Sequence, residues 1–259
     1  MYDYWLGGKD NHVVDRAAAA EVERAAPSVP AAARANRAFM HRVVAWAARA
    51  GIGQFVDVGT GMPTEPHAYQ IAREYRSDAV VVGVDNDPVV LAHDRAFLGG
   101  MPIVAGDVRC PDEVIAGLDG LIDWDRPVAV LLLAVLHFVT DAQDPAAIVR
   151  AFTGRMVPGS VVAMSHVCST GADPAAVAAV ERVYREQATA PGVARSEEEI
   201  TGLFGRRLEV VEPGVVPVQC WPCRAERTLT AIPVLGGVGR VPELVAERSG
   251  SARMGGGRG

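Results

Sequence analysis

Phe55-Val56-Asp57-Val58-Gly59-Thr60-Gly61-Met62-Pro63-Thr64-Glu65-Pro66 is the stretch whose reading decides the fold. Phe55–Val58 is a short apolar run of β type, and it ends in two glycines with one residue between them. A helix-compatible stretch follows, from about His67 to Tyr75. A buried strand running into a glycine-rich turn lets backbone approach a ligand closely, because glycine has no Cβ and tolerates positive φ. Alone, a Gly-x-Gly turn has little specificity, since plain strand exits also use it. The next two runs add to it. Ala79–Val84 ends in Asp85-Asn86-Asp87-Pro88, and Met101–Ala105 ends in Gly106-Asp107. Three successive strands therefore end in acid-bearing turns that would line one carboxyl edge of a sheet. An acid at the end of the second strand is where a ribose-binding carboxylate belongs in a doubly wound sheet, since it can accept hydrogen bonds from two adjacent hydroxyls.

The turn also discriminates between ligands. A dinucleotide holds its pyrophosphate at a helix N-terminus, usually through Gly-x-Gly-x-x-Gly. Here Thr64 stands three positions after Gly61, Pro63 intervenes, and Glu65 places a negative charge where a pyrophosphate would lie. This counts against a nicotinamide-dependent oxidoreductase. No Gly-x-x-x-x-Gly-Lys-Ser/Thr loop is present, so the sequence does not support a nucleoside-triphosphate cradle. A cationic sulfonium nucleoside carrying an α-amino group suits the acid-rich edge better, which points to S-adenosylmethionine (SAM).

Val56-Asp57-Val58-Gly59-Thr60-Gly61 and Val84-Asp85-Asn86-Asp87-Pro88 resemble the first two motifs of class I SAM-dependent methyltransferases. The block Tyr2-Asp3-Tyr4-Trp5-Leu6-Gly7-Gly8-Lys9-Asp10-Asn11 is more specific. With Ala33–Phe39 and Val135-Leu136-His137-Phe138-Val139, it resembles the bacterial S-adenosyl methyltransferase family long described as a domain of unknown function. The resemblance runs from Tyr2 to about Pro242. It implies an α/β fold, a Rossmann-like doubly wound seven-stranded sheet, mostly parallel with a reversed last strand, and it implies SAM as cofactor with S-adenosylhomocysteine as product. It does not imply the acceptor.

Site residues follow from that resemblance in their strand–turn context. Gly59 and Gly61 would let the loop approach the methionyl part, and Asp57 would orient the loop or accept from the α-amino group through water. Asp85, with Asn86 beside it, would hold the ribose; Asp87 competes, or instead caps the next helix ahead of Pro88. Asp107, with Val108 beside it, would accept from the adenine amine or cap a turn. His137 follows the fourth strand near the expected sulfonium, as a general base or as a wall of the acceptor pocket. In the N-terminal block, Tyr2, Tyr4 and Trp5 could cover the cofactor, an electron-rich ring face favouring a sulfonium. Lys9, Asp10 and Asn11 form a compact polar cluster, and Arg34, Asn36 and Arg37 could join the same site or cap helices. No metal site is expected.

Composition narrows the class. A net charge of −6 argues against a nucleic-acid partner held by bulk electrostatics. No apolar run reaches the ~18 residues of a membrane span, and no secretory signal is visible, so the expectation is a cytoplasmic protein acting on a small-molecule methyl acceptor. Cys220-Trp221-Pro222-Cys223 could be a redox pair or half a zinc site, but no second Cys or His pair stands at zinc spacing, and it reads as a chance pair in a late loop. Of 25 basic residues only Lys9 is lysine, and the only asparagines are Asn11, Asn36 and Asn86. This suits a GC-rich coding sequence, and all four survivors fall in the motifs just described.

Around the central stretch the chain alternates strand and helix. Strands are expected at 55–58, 80–84, 101–105, 128–133 and 159–165, with helices between them, as in βαβ units. The last strands are placed at Leu208–Val211 and Arg227–Val234. Residues 1–11 read as a loop and 13–26 and 31–50 as two helices, so that 1–50 forms an N-terminal cap over the cofactor edge, 51–242 the core and 243–259 a disordered tail. A SAM-binding sensor without transferase activity is the principal alternative.

Overall fold

The computed structural model describes residues 1–97, 101–188, 190–223 and 231–243. The chain opens with a single helical turn, α1 (Tyr2–Trp5), where the sequence reads as loop, and continues through α2 (Val13–Ala25) and α3 (Val29–Arg49). Then come β1 (Gln54–Val58), α4 (Ala68–Tyr75), β2 (Val80–Asp85), α5 (Pro88–Phe97), β3 (Ile103–Ala105), α6 (Pro111–Leu118) and β4 (Ala129–Leu133). The rest is α7 (Pro145–Arg155), β5 (Val161–Val167), α8 (Pro174–Gln187), α9 (Glu197–Gly202), β6 (Glu209–Val210), β7 (Val216–Pro217) and β8 (Val234–Arg240).

The sheet runs β3-β2-β1-β4-β5-β8-β6, with β7 also paired to β8. β1 to β5 are parallel, and β8 is reversed. Among the described residues the sheet has eight strands where seven were expected, because the last position is split. β5 occupies one edge of β8, so β6 at Gly239–Arg240 and β7 at Leu235–Gly236 share the other. The final strand is Val234–Arg240, later than the expected 227–234; Arg227–Thr230 of that expectation and the tail from 244 lie outside the described residues. Its glycines explain both the misplacement and the packing. A Cβ on Gly236 would stand 2.8 Å from the Phe39 ring, so only glycine lets α3 lie this close to the strand.

Alternation along each strand sends residues to two buried faces, which is why these strands read as continuous apolar runs. Phe55, Val81, Ala129, Leu131, Val161 and Ala163 face α3 and α4. Val56, Val58, Val82, Val84, Val130 and Leu132 face α6 and α7. The expected cap therefore divides. α3 buries Phe39, Met40, Val43, Val44 and Ala47 against the sheet and is a layer of the core. α1 and α2 instead pack with α8 through Trp5, Ala18, Ala19, Val22 and Val183. Among the described residues no helix is long and apolar enough to cross a membrane.

Candidate active site

β1 ends at Val58, and the chain turns through Gly59 at φ +73° and Gly61 at φ +64°. The two glycines serve different needs. A Cβ on Gly59 would stand 2.9 Å from Val135, whereas a Cβ on Gly61 would meet nothing within 4 Å. Gly59 is thus demanded by packing, and Gly61 leaves backbone open to whatever lies above the sheet edge. The turn is fastened to β2: Gly59 N donates to Val84 O at 2.7 Å, and Gly61 N donates to Asp85 Oδ2 at 3.0 Å. The other Asp85 oxygen accepts from Asp87 N at 2.9 Å, and Asp87 in turn accepts from Val89 N at 2.8 Å, capping α5. Asp85 therefore ties the first two acid-bearing turns together.

Asp57 lies on the α3 side of the sheet, as its alternation with Phe55 requires. Among the described residues its carboxylate accepts no hydrogen bond. Burial pushes its pKa up to about 6; Arg37 on α3 opposes the rise, and Asp94 and Asp85 add to it. Asp94 of α5 is 1% exposed and accepts from Thr60 Oγ1 at 3.1 Å. Burial, with Asp85 adding, pushes it likewise up to about 6. Three acids thus converge beneath the glycine turn with one guanidinium across from them. At the third turn Asp107 is different: its neighbour Arg109 chelates it, and its pKa falls to about 2, mainly through that hydrogen bond. Asn86 Nδ2 reaches Asp107 Oδ2 at 3.3 Å, linking the second and third turns. Val108 packs at the edge of the core below.

The N-terminal block lies over this edge. A cavity of about 270 Å³ is lined by Tyr2, Asp3, Asp10 and Asn11 on one side and by Thr60, Gly61, Met62 and Asp87 on the other, with Arg37 beside them. Its size is near the lower end of small-ligand sites, ~300–1,000 Å³. The block is held by its own bonds. Tyr2 Oη donates to Ala33 O at 3.1 Å and accepts from Asn36 Nδ2 at 3.0 Å. Asn11 Nδ2 donates to Asp3 Oδ2 at 2.8 Å. Tyr4 and Lys9 are exposed and do not line the cavity, and Arg34, also exposed, donates to Trp5 O as a clasp between α3 and α1.

His137 sits in the 3-10 turn Leu136–Phe138, after β4, and is not among the cavity residues. Its ring packs 4.3 Å from Phe138 and edge-on to His166 at 5.7 Å, and Nδ1 is buried without a hydrogen bond. Burial, assisted by His166 and Arg195, pushes its pKa down to about 3, so the ring is neutral at pH 7. Arg195, 4% exposed, fastens this turn: it donates to Leu136 O and Val139 O, meets His166 Nε2 at 2.8 Å and pairs with Asp141 at 2.6 Å. Cys220, buried, and Cys223, exposed, form no disulfide among the described residues.

Over residues 1–242 the chain matches a family model described as S-adenosyl methyltransferase. The chain belongs to this family. It is 37% identical to a DUF574-family protein of Streptomyces avermitilis, solved by crystallography, with 93% of this chain and 95% of that one aligned at a TM-score of 0.86. It is 35% identical to a candidate methyltransferase of Thermobifida fusca, with 93% of each chain aligned at the same TM-score of 0.86. No functionally curated protein matches. As a member of the S-adenosyl methyltransferase family this protein is a SAM-dependent methyltransferase whose acceptor is unidentified. The residues suit that cofactor: an open glycine turn, unneutralised acids beneath it, and acids at the ends of the next two strands.

Arg37, Asp94, Thr60 and Arg195 carry more of this arrangement than their sequence context suggests. Two of them had a readable signal. Arg37 stands in the stripe Ala33-Arg37-Met40-Val44, whose other members are all buried, and Asp94 stands with buried Val90 and Leu91 on α5. A charge at a core-facing helical position, i+3 or i+4 from apolar neighbours, is the mark of such a group.

Proposed function

We propose that this methyltransferase binds SAM along the carboxyl edge of β1, β2 and β3 and passes its methyl group to a small-molecule acceptor in the cytoplasm. The observation that carries this reading is the 270 Å³ cavity between the Gly59–Gly61 turn and the N-terminal block. A cavity closed on one side by the Tyr2–Asn11 block fits a small ligand, and the net charge of −6 disfavours a polyanion. In this reading the ligand extends from the cavity along the strand ends to residues that do not line it: Asp85 holds the ribose hydroxyls, Asn86 and Asp107 with Val108 flank the adenine, and Asp57 takes the α-amino group. Tyr2, Asp10 and Asn11 form the cover; Tyr4, Lys9 and Arg34 form its outer face and clasp.

SAM supplies an activated methyl carbon, so the protein contributes proximity and alignment, which can lower the barrier by ~7–11 kcal/mol. His137 lies outside the cavity, its ring packed against Phe138 and His166. A neutral imidazole held near pKa 3 is a weak base at pH 7, so the acceptor atom is one that reacts without losing its proton to this ring. Calorimetric titration with SAM and S-adenosylhomocysteine, with NAD as control, tests the reading. Micromolar binding of the first two and none of NAD is expected, and Asp85→Ala is expected to abolish it. Full affinity in that variant would refute the ribose assignment.

A further inference from the structure

We infer that the methyl acceptor is a neutral aromatic heterocycle, held against a wall of three rings, Tyr2, Phe138 and Tyr184, and methylated on a ring nitrogen. The inference rests on the reading of the strand edge as the SAM site, and deepens it by naming the acceptor class.

The wall joins three parts of the chain. Val135 packs against the glycine turn, since a Cβ on Gly59 would stand 2.9 Å from it. Phe138 follows three residues later in the turn after β4, and its ring centroid lies 5.6 Å from that of Tyr184 on α8. Tyr184 in turn feels Tyr2 of the N-terminal block through space, and Tyr2 also lines the cavity. The three rings thus lead from the cavity to the turn that rests on Gly59. All three keep accessible surface: Tyr2 is 38% exposed, and Phe138 and Tyr184 are half-buried. Burial nevertheless raises the pKa of both phenols, so the surface they keep faces a recess and not bulk water. The Tyr184 hydroxyl has no hydrogen-bond partner among the described residues, which leaves a donor for a polar substituent on the acceptor. A recess walled by ring faces and edges suits a flat aromatic molecule.

The atom that is methylated follows from the proton. A hydroxyl or an ammonium must lose one to react. The titratable groups around Phe138 are poor at taking it at pH 7: burial pushes His137 down to about 3 and His166 down to about 4, and both phenols stay protonated. A heteroaromatic nitrogen needs no base. Its lone pair forms the N–C bond as the C–S bond breaks and the electron pair of that bond passes to sulfur. The positive charge moves from sulfur to nitrogen, and no proton is transferred. The rings then border a cation, which their faces favour.

The test uses quinoline as the heteroaromatic probe. Its controls are naphthol, a flat ring whose hydroxyl must lose a proton, and decahydroquinoline, the saturated ring system. Calorimetry on the full chain saturated with S-adenosylhomocysteine is expected to show quinoline and naphthol binding, with decahydroquinoline about 10-fold weaker. With SAM, mass spectrometry is expected to find N-methylquinolinium and no methylated naphthol. Phe138→Leu and Tyr184→Leu are each expected to weaken quinoline about 10-fold and to leave S-adenosylhomocysteine within about twofold. Retained S-adenosylhomocysteine binding also shows that each variant is folded. Absence of quinoline binding at millimolar concentration, equal binding of the saturated control, absence of N-methylquinolinium, or unchanged quinoline affinity in both variants would overturn the assignment. If wild type bound no S-adenosylhomocysteine, the reading of the strand edge itself would fall, and this inference with it.

Discussion

At Asp57 and Asp94 the site acquires a pH dependence whose sign can be worked out. Both carboxyls titrate near 6, above the usual carboxylate range, because burial disfavours their charge. A raised acid pKa favours the folded state while the proton is held. That contribution is full below the ordinary carboxylate range and is lost as pH rises through about 6. Above that pH the ligand-free site carries mutually repelling anions, which a cationic ligand relieves. SAM affinity is therefore expected to rise several-fold between pH 5 and pH 7.5, and Asp57→Asn is expected to flatten the rise; calorimetry at the two pH values checks it. An affinity that stayed level in wild type would refute the coupling. Residue by residue, the acids at the strand ends were legible, because strand followed by Gly or Asp is a local pattern. Arg37 and Asp94 were harder to read, because their meaning depends on which helix face meets the sheet.

The turn after β1 and the turn after β4 are elements whose roles separate by mutation. Gly59→Ala combines positive φ with a collision against Val135, and is expected to cost about 1–3 kcal/mol of stability by urea denaturation. Gly61→Ala shares the positive φ, which costs about 1–2 kcal/mol, but meets open space, so it is expected to lower SAM affinity as well, with a methyl group projecting where the ligand approaches. Arg195→Met strips donors from Leu136 O and Val139 O and from His166, and is expected to cost about 2–4 kcal/mol. The remaining charge does not add to that cost, since Asp141 is 82% exposed. Alternating strands and helices were readable from apolar runs of the right length. The last strand was not, because Val234-Leu235-Gly236-Gly237-Val238-Gly239-Arg240 lacks β propensity at the positions where Phe39 and Phe204 press on it. The stripe Phe39, Val43 and Ala47 marked α3 as amphipathic, yet periodicity names a buried face without naming its partner, and the partner is the sheet.

For the molecule as a whole, ligand and fold are linked by mass action. S-adenosylhomocysteine at 100 times its dissociation constant is expected to add ~2.7 kcal/mol and raise the melting temperature by several degrees; a thermal scan with and without it, with NAD alongside, reads this directly. The sheet order has a further consequence, for how the protein is made. β8 is nearly the last described segment of the chain, yet it lies between β5 and the short strands β6 and β7, and its Gly236 receives the Phe39 ring of α3. Arg42 of α3 likewise donates to Val218 O, 176 residues further on. While the ribosome is still extending the polypeptide, β1 to β5 can pair in order of emergence, but β5 keeps an open edge and α3 an uncovered flank until β8 leaves the exit tunnel. A nascent chain stalled near residue 220 is thus a sticky half-product, and the emergence of β8 and the closure of the sheet become one event.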